Sequence, residues 1–225
     1  MVPTSMLTTS QGRRAGETSQ SGEAYRLIKE KIVTLELPPA SLIDESALMA
    51  ALGLGRTPIR EALQRLALEN LVVILPRRGT IVADLNMSDL QKIFEMRVEL
   101  EVMAVRLAAE RALPAHIAAM DQLLAGAEAL LQGGDNYELI RLDHEAHRLI
   151  ARAAQNEFLE ETLDWLYTHV LRLWYVSLSR VRRLREAIEE HRAIADHLRR
   201  GDGEGAAALM RAHIIEFQDQ FLSIR

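Results

Sequence analysis

Four residues with metal-ligand chemistry lie on three apolar helical stripes in the C-terminal half of the chain. Ile140, Asp143, His147, Ile150 and Ala154 recur at steps of three and four, so Asp143 and His147 stand one helical turn apart with neighbouring side chains. Leu184, Ile188, His191, Ala195 and Leu198 make a second stripe, and Ala206, Met210, His213 and Phe217 a third. Each has the period of a core-facing helix surface, and each carries an imidazole. Ionisable groups aimed into a core are costly unless they are paired or coordinated. Three imidazoles and one carboxylate form a donor set for a divalent transition metal, zinc foremost with nickel or manganese as alternatives, and leave coordination positions open. A single inward histidine is more often a satisfied core residue. The recurrence on three stripes, with an aspartate at i−4, is what favours a site.

Such a metal could also activate water, which would make the chain a metal-dependent hydrolase, or it could be purely structural. His144 and His147 do not supply the zinc-protease motif, because HExxH needs histidines at i and i+4 and these stand at i and i+3. His144 lies beside Arg141 and Arg148 on a polar strip and is expected at the surface. Glu190 adjoins His191 but is expected to point to another face, which leaves no evident general base. His116, His169 and His197 are read as structural or exposed, and Trp165, Tyr167, Trp174 and Tyr175 as core, with one or two available to line a pocket.

The elements that must position these residues are helices. Aromatics make up only 4% of the chain and there are six prolines, while Ala, Leu, Arg and Glu dominate, so the fold class is mostly α. Ser88 to Gln91 reads as a capping-box start for a helix running to about Arg111. Further helices are expected from Pro114 to Gly133 and Gly134, Tyr137–Ala154, Glu157–Ser179, Leu184–Arg200 and, after the break at Gly201, Glu204–Leu222. Residues 86–225 therefore read as an antiparallel all-helical bundle of about six helices. With no cysteine, disulfides, thiolate metal sites and cysteine nucleophiles are excluded. No apolar run approaches ~18 residues, so no membrane span is expected. Residues 1–20 are rich in Ser, Thr and Gly, with Arg13 and Arg14 but no apolar segment after them. They read as a disordered tail, not a signal peptide, and make cytoplasm the default compartment.

Residues 21–85 have a different pattern. A helical period from Ala24 through about Leu37 stops at Pro38 and Pro39, and Asp44 can cap a short helix from Glu45 to Leu52. Gly53, Leu54 and Gly55 make a tight turn into a further helix, where Thr57 reads as the cap, Pro58 as the first helical position, and Ile59, Leu63, Leu66 and Ala67 as one apolar face. Leu71–Leu75 and Thr80–Val82 flank Pro76, Arg77, Arg78 and Gly79 as a hairpin with two arginines at its tip. Helix, helix, turn, helix and hairpin make a winged helix-turn-helix. Charge agrees with that reading. The net charge of the chain is −5, yet Arg56–Arg78 holds five arginines against Glu61 and Glu69. A helix start with arginines and free N–H groups suits phosphates and guanine edges.

Gly55, Arg56, Thr57, Pro58, Ile59, Arg60, Glu61, Ala62, Leu63, Gln64, Arg65 and Leu66, followed by Leu71 and Pro76 to Gly79, resemble the N-terminal DNA-binding domain of the GntR family of bacterial transcription regulators. Gly55 stands where the family more often has Ser, and Ser46 where some relatives have Arg. The resemblance implies that Arg56, Thr57, Arg60 and Arg65 contact operator DNA, with Gly79 in the wing turn. Asp143 to His147, Ala153 to Asn156, Glu190 to Ile194, Gly201 and Asp202, and Met210 to His213 resemble the FCD ligand-binding domain of the FadR-type branch. That resemblance implies metal binding by Asp143, His147, His191 and His213, and a small carboxylate effector that completes the coordination. Arg97 matches the arginine that often pairs with the effector's carboxylate. The expected protein is a homodimeric regulator of a palindromic operator and not an enzyme, since each head reads few base pairs and a two-fold protein matches a two-fold site.

Overall fold

The computed structural model describes residues 19–133, 136–177 and 183–223, so the expected tail falls almost wholly outside the described residues. The chain divides into two units, the first ending at Leu85 and the second starting at Asn86.

In the first unit, α1 (Gln20–Val33) starts where Ser19 Oγ accepts the Gly22 N–H at 3.1 Å. It stops short of the expected Leu37. Leu35 adopts φ 63° and the Leu37 N–H returns to the Lys31 carbonyl at 2.9 Å, so these residues wrap the helix end. Strand β1 (Leu42–Ile43), unforeseen in the sequence, precedes α2 (Glu45–Leu52). Asp44 Oδ1 caps α2, accepting from the Ser46 and Ala47 N–H groups at 2.8 and 3.1 Å. Gly53, at φ 66°, provides the left-handed turn that other residues adopt only with strain. Helix α3 (Arg56–Leu68) is capped by Gly55, which corrects the expected role of Thr57. Thr57 and Pro58 are second and third in the helix, where the N–H groups still lack intrahelical partners and proline costs nothing. Strands β2 (Val72–Leu75) and β3 (Gly79–Val82) form the hairpin, and β1 adds to β3 in the order β1-β3-β2. Ile28 and Ile32 of α1 and Ile59, Leu63 and Leu66 of α3 are buried in one core, each contributing roughly 1.5–3 kcal/mol.

The second unit is a helical bundle. Helix α4 (Met87–Arg111) is capped by Asn86, whose Oδ1 accepts the Ser88 N–H at 2.9 Å, not by the expected box at Ser88. The single helix expected after Pro114 is interrupted at Gly126 into α5 (Pro114–Ala125) and α6 (Ala127–Gly133). Then follow α7 (Asn136–Ala153), α8 (Glu157–Ser177), α9 (Leu184–Arg199) and α10 (Gly203–Ser223). The expected end of α8 at Ser179 lies outside the described residues. Helix α4 packs against α7, α8, α9 and α10, so even its charged residues Arg97 and Glu101 are buried. Among the described residues no helix is long and apolar enough to cross a membrane.

Candidate functional site

The three stripes meet. Asp143 and His147 of α7, His191 of α9 and His213 of α10 are all buried, and one ligand atom from each lies within 4.8 Å of the others. His191 Nε2 is 2.9 Å from Asp143 Oδ1, and His213 Nε2 is 3.7 Å from the same oxygen. His147 Nε2 stands 3.2 Å from His213 Nε2 and 3.9 Å from Asp143 Oδ2. The periodicity that makes α7, α9 and α10 pack is therefore what brings the donors together.

Side chains from other helices hold these groups in place. The Tyr167 hydroxyl of α8 donates to Asp143 Oδ2. Glu190 Oε2 lies 2.7 Å from His213 Nδ1, and its other oxygen accepts from Arg183 at 2.5 Å. This corrects the expected orientation of Glu190, which belongs to the site through His213. Glu101 Oε1, on α4, approaches His147 Nδ1 at 2.9 Å and accepts the Arg97 Nε–H at 3.2 Å. Arg97, 2% exposed, also brings Nη2 to 3.0 Å from His147 Nε2 and lies 4.4 Å over the Tyr167 ring. The spacing of Arg97 and Glu101 at i and i+4 was the one sequence signal that paired them.

Electrostatics follow from this burial. Desolvation pushes His213 down to about 4 and His147 below its ordinary value, so both rings are neutral near pH 7. Burial alone would raise Asp143, but its hydrogen bond with His191 holds it well below the usual carboxylate range. Glu101 likewise is penalised by burial, yet His147 and Arg97 bring it down to about 2. His144, expected at the surface, is half-buried. It stacks on Tyr167 with centroids 4.3 Å apart, and burial pushes it down to about 4. Tyr167 and Trp174 are core residues, with Trp165 and Tyr175 partly buried, and it is Tyr167 that reaches the site. His116 Nδ1 accepts the Leu113 N–H at 3.2 Å, His197 pairs with Asp202 at 2.7 Å, and His169 packs edge-on against Trp165.

The donor set fits a divalent transition metal. With Nδ1 of His213 facing a carboxylate, the neutral ring carries its proton there and turns the Nε2 lone pair inward. The Arg97 guanidinium can only donate, so His147 Nε2 also presents a lone pair. Two such lone pairs 3.2 Å apart repel unless a cation lies between or beside them. Oxygen from Asp143 and nitrogen from three imidazoles match the preferences of zinc, nickel and manganese sites.

In the first unit, Arg56, Thr57 and Arg60 are exposed on the first turns of α3, and Arg77, Arg78 and Gly79 are exposed at the hairpin tip. Arg60 Nε pairs with Glu45 Oε2 of α2 at 2.9 Å. Arg65 sits apart from these. Its guanidinium stacks 3.9 Å over the Tyr25 ring, and the Tyr25 hydroxyl donates to Glu69 at 2.7 Å. Arg77 has φ 63° and Gly79 φ 95°, so the wing turn uses the left-handed region twice.

Comparison with known proteins agrees with both units. Residues 20–82 match the family described as bacterial regulatory proteins, gntR family, and residues 92–216 match the FCD domain. The Nta operon transcriptional regulator of Aminobacter aminovorans is 33% identical over 85% of this chain and 90% of its own. The repressor GlaR of Escherichia coli is 28% identical over 88% of this chain and 94% of its own. The solved structure of E. coli McbR/YncC has the same fold, with a TM-score of 0.83 at 24% identity over 91% of this chain and 98% of that one. The chain therefore belongs to the GntR family of bacterial regulatory proteins, in its FCD-bearing branch, and is a transcriptional regulator and not an enzyme.

Proposed function

We propose that the chain is a homodimeric DNA-binding regulator whose affinity for a palindromic operator is set by a small carboxylate bound at a metal in the helical unit. The observation that carries this reading is the convergence of Asp143, His147, His191 and His213 beside the buried cation Arg97. A divalent transition metal held by those four residues would supply Lewis-acid positions for a carboxylate. Arg97 would add a directed donor for the same group. Asp143 is held by Tyr167 and the ring of His213 by Glu190, while Glu101 stands beside Nδ1 of His147, so the donors are largely oriented before any ligand arrives. In the first unit, Arg56 and Arg60 present cationic donors and Thr57 a hydroxyl to the major groove, with Arg77, Arg78 and Gly79 as the wing contact and Arg65 as a flanking phosphate contact. The effector acts through differential affinity for the DNA-competent and DNA-incompetent arrangements of the dimer.

The test is a titration of labelled operator with the purified chain, repeated with a panel of small carboxylates before and after chelator treatment. A carboxylate-dependent shift in operator affinity that chelation abolishes is the expected result. A shift that survives chelation, alongside a drop in melting temperature, would make the metal purely structural. Arg60→Ala should weaken operator binding in the same titration without unfolding the protein, and unchanged affinity would remove α3 from the reading role.

A further inference from the structure

Arg97 makes three contacts in the core of the second unit, and they differ in kind. Nε–H donates to Glu101 Oε1 at 3.2 Å, the guanidinium plane covers Tyr167 at 4.4 Å, and Nη2 approaches His147 Nε2 at 3.0 Å. The first two anchor the side chain. The third occupies a metal-ligand atom. An imidazole nitrogen has a single lone pair, and a guanidinium has nothing to accept, so Nη2–H points at that lone pair. The same Nε2 stands 3.2 Å from His213 Nε2 and 3.9 Å from Asp143 Oδ2, inside the four-donor cluster.

We propose that Arg97 and the metal compete for the Nε2 lone pair of His147, so that metal uptake frees the Arg97 Nη2 group for an anion, and an anion on Arg97 in turn tightens metal binding. The inference rests on the metal reading of the site given above and adds its regulation. Arg97 can release Nε2 without leaving the core, because a small tilt of its guanidinium plane parts Nη2 from the imidazole while Nε stays beside Glu101 and Cζ stays over the Tyr167 ring. Once released, a buried N–H group of a cation requires a new acceptor, and a carboxylate supplies it with charge. Positive charge on Arg97 beside a divalent cation is unfavourable in a buried site, and an anion between them removes that repulsion. The coupling is reciprocal by linkage: whatever factor the metal contributes to anion affinity, the anion contributes to metal affinity. Arg97 by itself therefore acts as a brake on metal binding, and this distinguishes it from a residue that merely supports the site.

The experiment measures zinc affinity of the full chain, stripped of metal, by competition with a chromophoric chelator. Arg97→Met keeps the length and apolar stem but removes the competing donor. It should hold zinc tighter than the wild type, on the order of tenfold for one charge-assisted hydrogen bond. Acetate should tighten zinc binding by the wild type more than by Arg97→Met, in which it can only ligate the metal. Equal or weaker zinc binding by the variant overturns the competition. An acetate effect that is absent from the wild type, or equal in both proteins, overturns the release of Nη2. Removing Arg97 leaves the Glu101 carboxylate buried without its cation, which can unfold the chain. Should circular dichroism show that, the same comparison is made between Arg97→Met/Glu101→Gln and Glu101→Gln alone. Wild-type protein that takes up none of zinc, nickel or manganese would instead sink the metal reading itself, a result separate from any difference between variants.

Discussion

His147 and His213 face each other through Nε2 at 3.2 Å, and each has a glutamate oxygen behind it, Glu101 at 2.9 Å from one Nδ1 and Glu190 at 2.7 Å from the other. A carboxylate on Nδ1 fixes both the tautomer and the ring direction and makes Nε2 a better donor to a metal. Of the two, Glu190 is the more accessible to substitution, because it is only half buried and Glu101 lies in the core. Glu190→Gln should lower zinc affinity by about 10–100-fold with the helical content unchanged. Chelator competition reads the first quantity and circular dichroism the second. Unchanged zinc affinity would mean that packing alone orients His213.

Stability of the second unit should fall on mild acidification. Burial pushes His213 and His144 down to about 4, and lowers His147 as well, while the unfolded chain titrates near 6.5. Between those values the unfolded chain binds protons that the folded chain refuses, so stability is intact above about pH 6.5 and is lost as pH falls toward 4. The slope approaches about 1.4 kcal/mol per pH unit for each such group. Glu101, held at about 2, and Asp143, also lowered, extend the loss further as pH drops through the ordinary carboxylate range. A bound metal steepens the trend, since protons compete for its ligands. Urea unfolding of the stripped chain at about pH 7 and about pH 5 measures the effect. A flat profile would show that these rings accept protons without leaving the fold.

How much of this could be read beforehand depended on the range of the interaction. Asp143 and His147 share one helix at i and i+4, and the stripes holding His191 and His213 announce their own faces, so the donor set was visible in the spacing. Glu101 and Glu190 were not. Which residue of a neighbouring helix comes behind an imidazole depends on helix–helix registry, and that has no local pattern. His144 was misplaced for the same reason: its neighbours in sequence are charged, but α8 lays Tyr167 across its ring. In the first unit, Asp44 and the Gly53 turn were legible because capping is local. The cap of α3 went to Gly55 because the chain enters the helix two residues earlier than Thr57 suggested. Strand β1 has two residues, too few for any alternation to be recognised.

The turn between α9 and α10 sets the registry of His191 against His213, and Gly205 is the residue that allows it. Asp202 accepts the Gly205 N–H on Oδ1 at 2.9 Å and pairs through Oδ2 with His197 at 2.7 Å. A methyl group on Gly205 would overlap both the His197 ring and the Asp202 carboxylate. Gly205→Ala should therefore break the cap of α10, lower the melting temperature by roughly a few degrees and weaken zinc binding in parallel. A variant as stable as the wild type would mean that His197 rotates away at no cost.

The hairpin tip makes the opposite kind of prediction, in which stability and function separate. Arg77 sits at φ 63°, a conformation that costs a residue with a Cβ roughly 1–2 kcal/mol and that glycine adopts freely. Nothing in the first unit's core depends on its side chain, which is exposed. A strained cation at an exposed turn is explained if the side chain is needed against a polyanion. Arg77→Gly should thus leave thermal stability unchanged or raise it, because relief of strain offsets the added freedom of the unfolded chain. Operator affinity should fall at the same time, and the slope of log affinity against log salt should shrink by about one, the signature of one lost phosphate contact. Arg78→Gly removes an equal charge without the strain, so it should lose affinity with no gain in stability. If both variants bind operator with the wild-type affinity and salt slope, the wing does not touch DNA, and sequence reading falls to α3 alone.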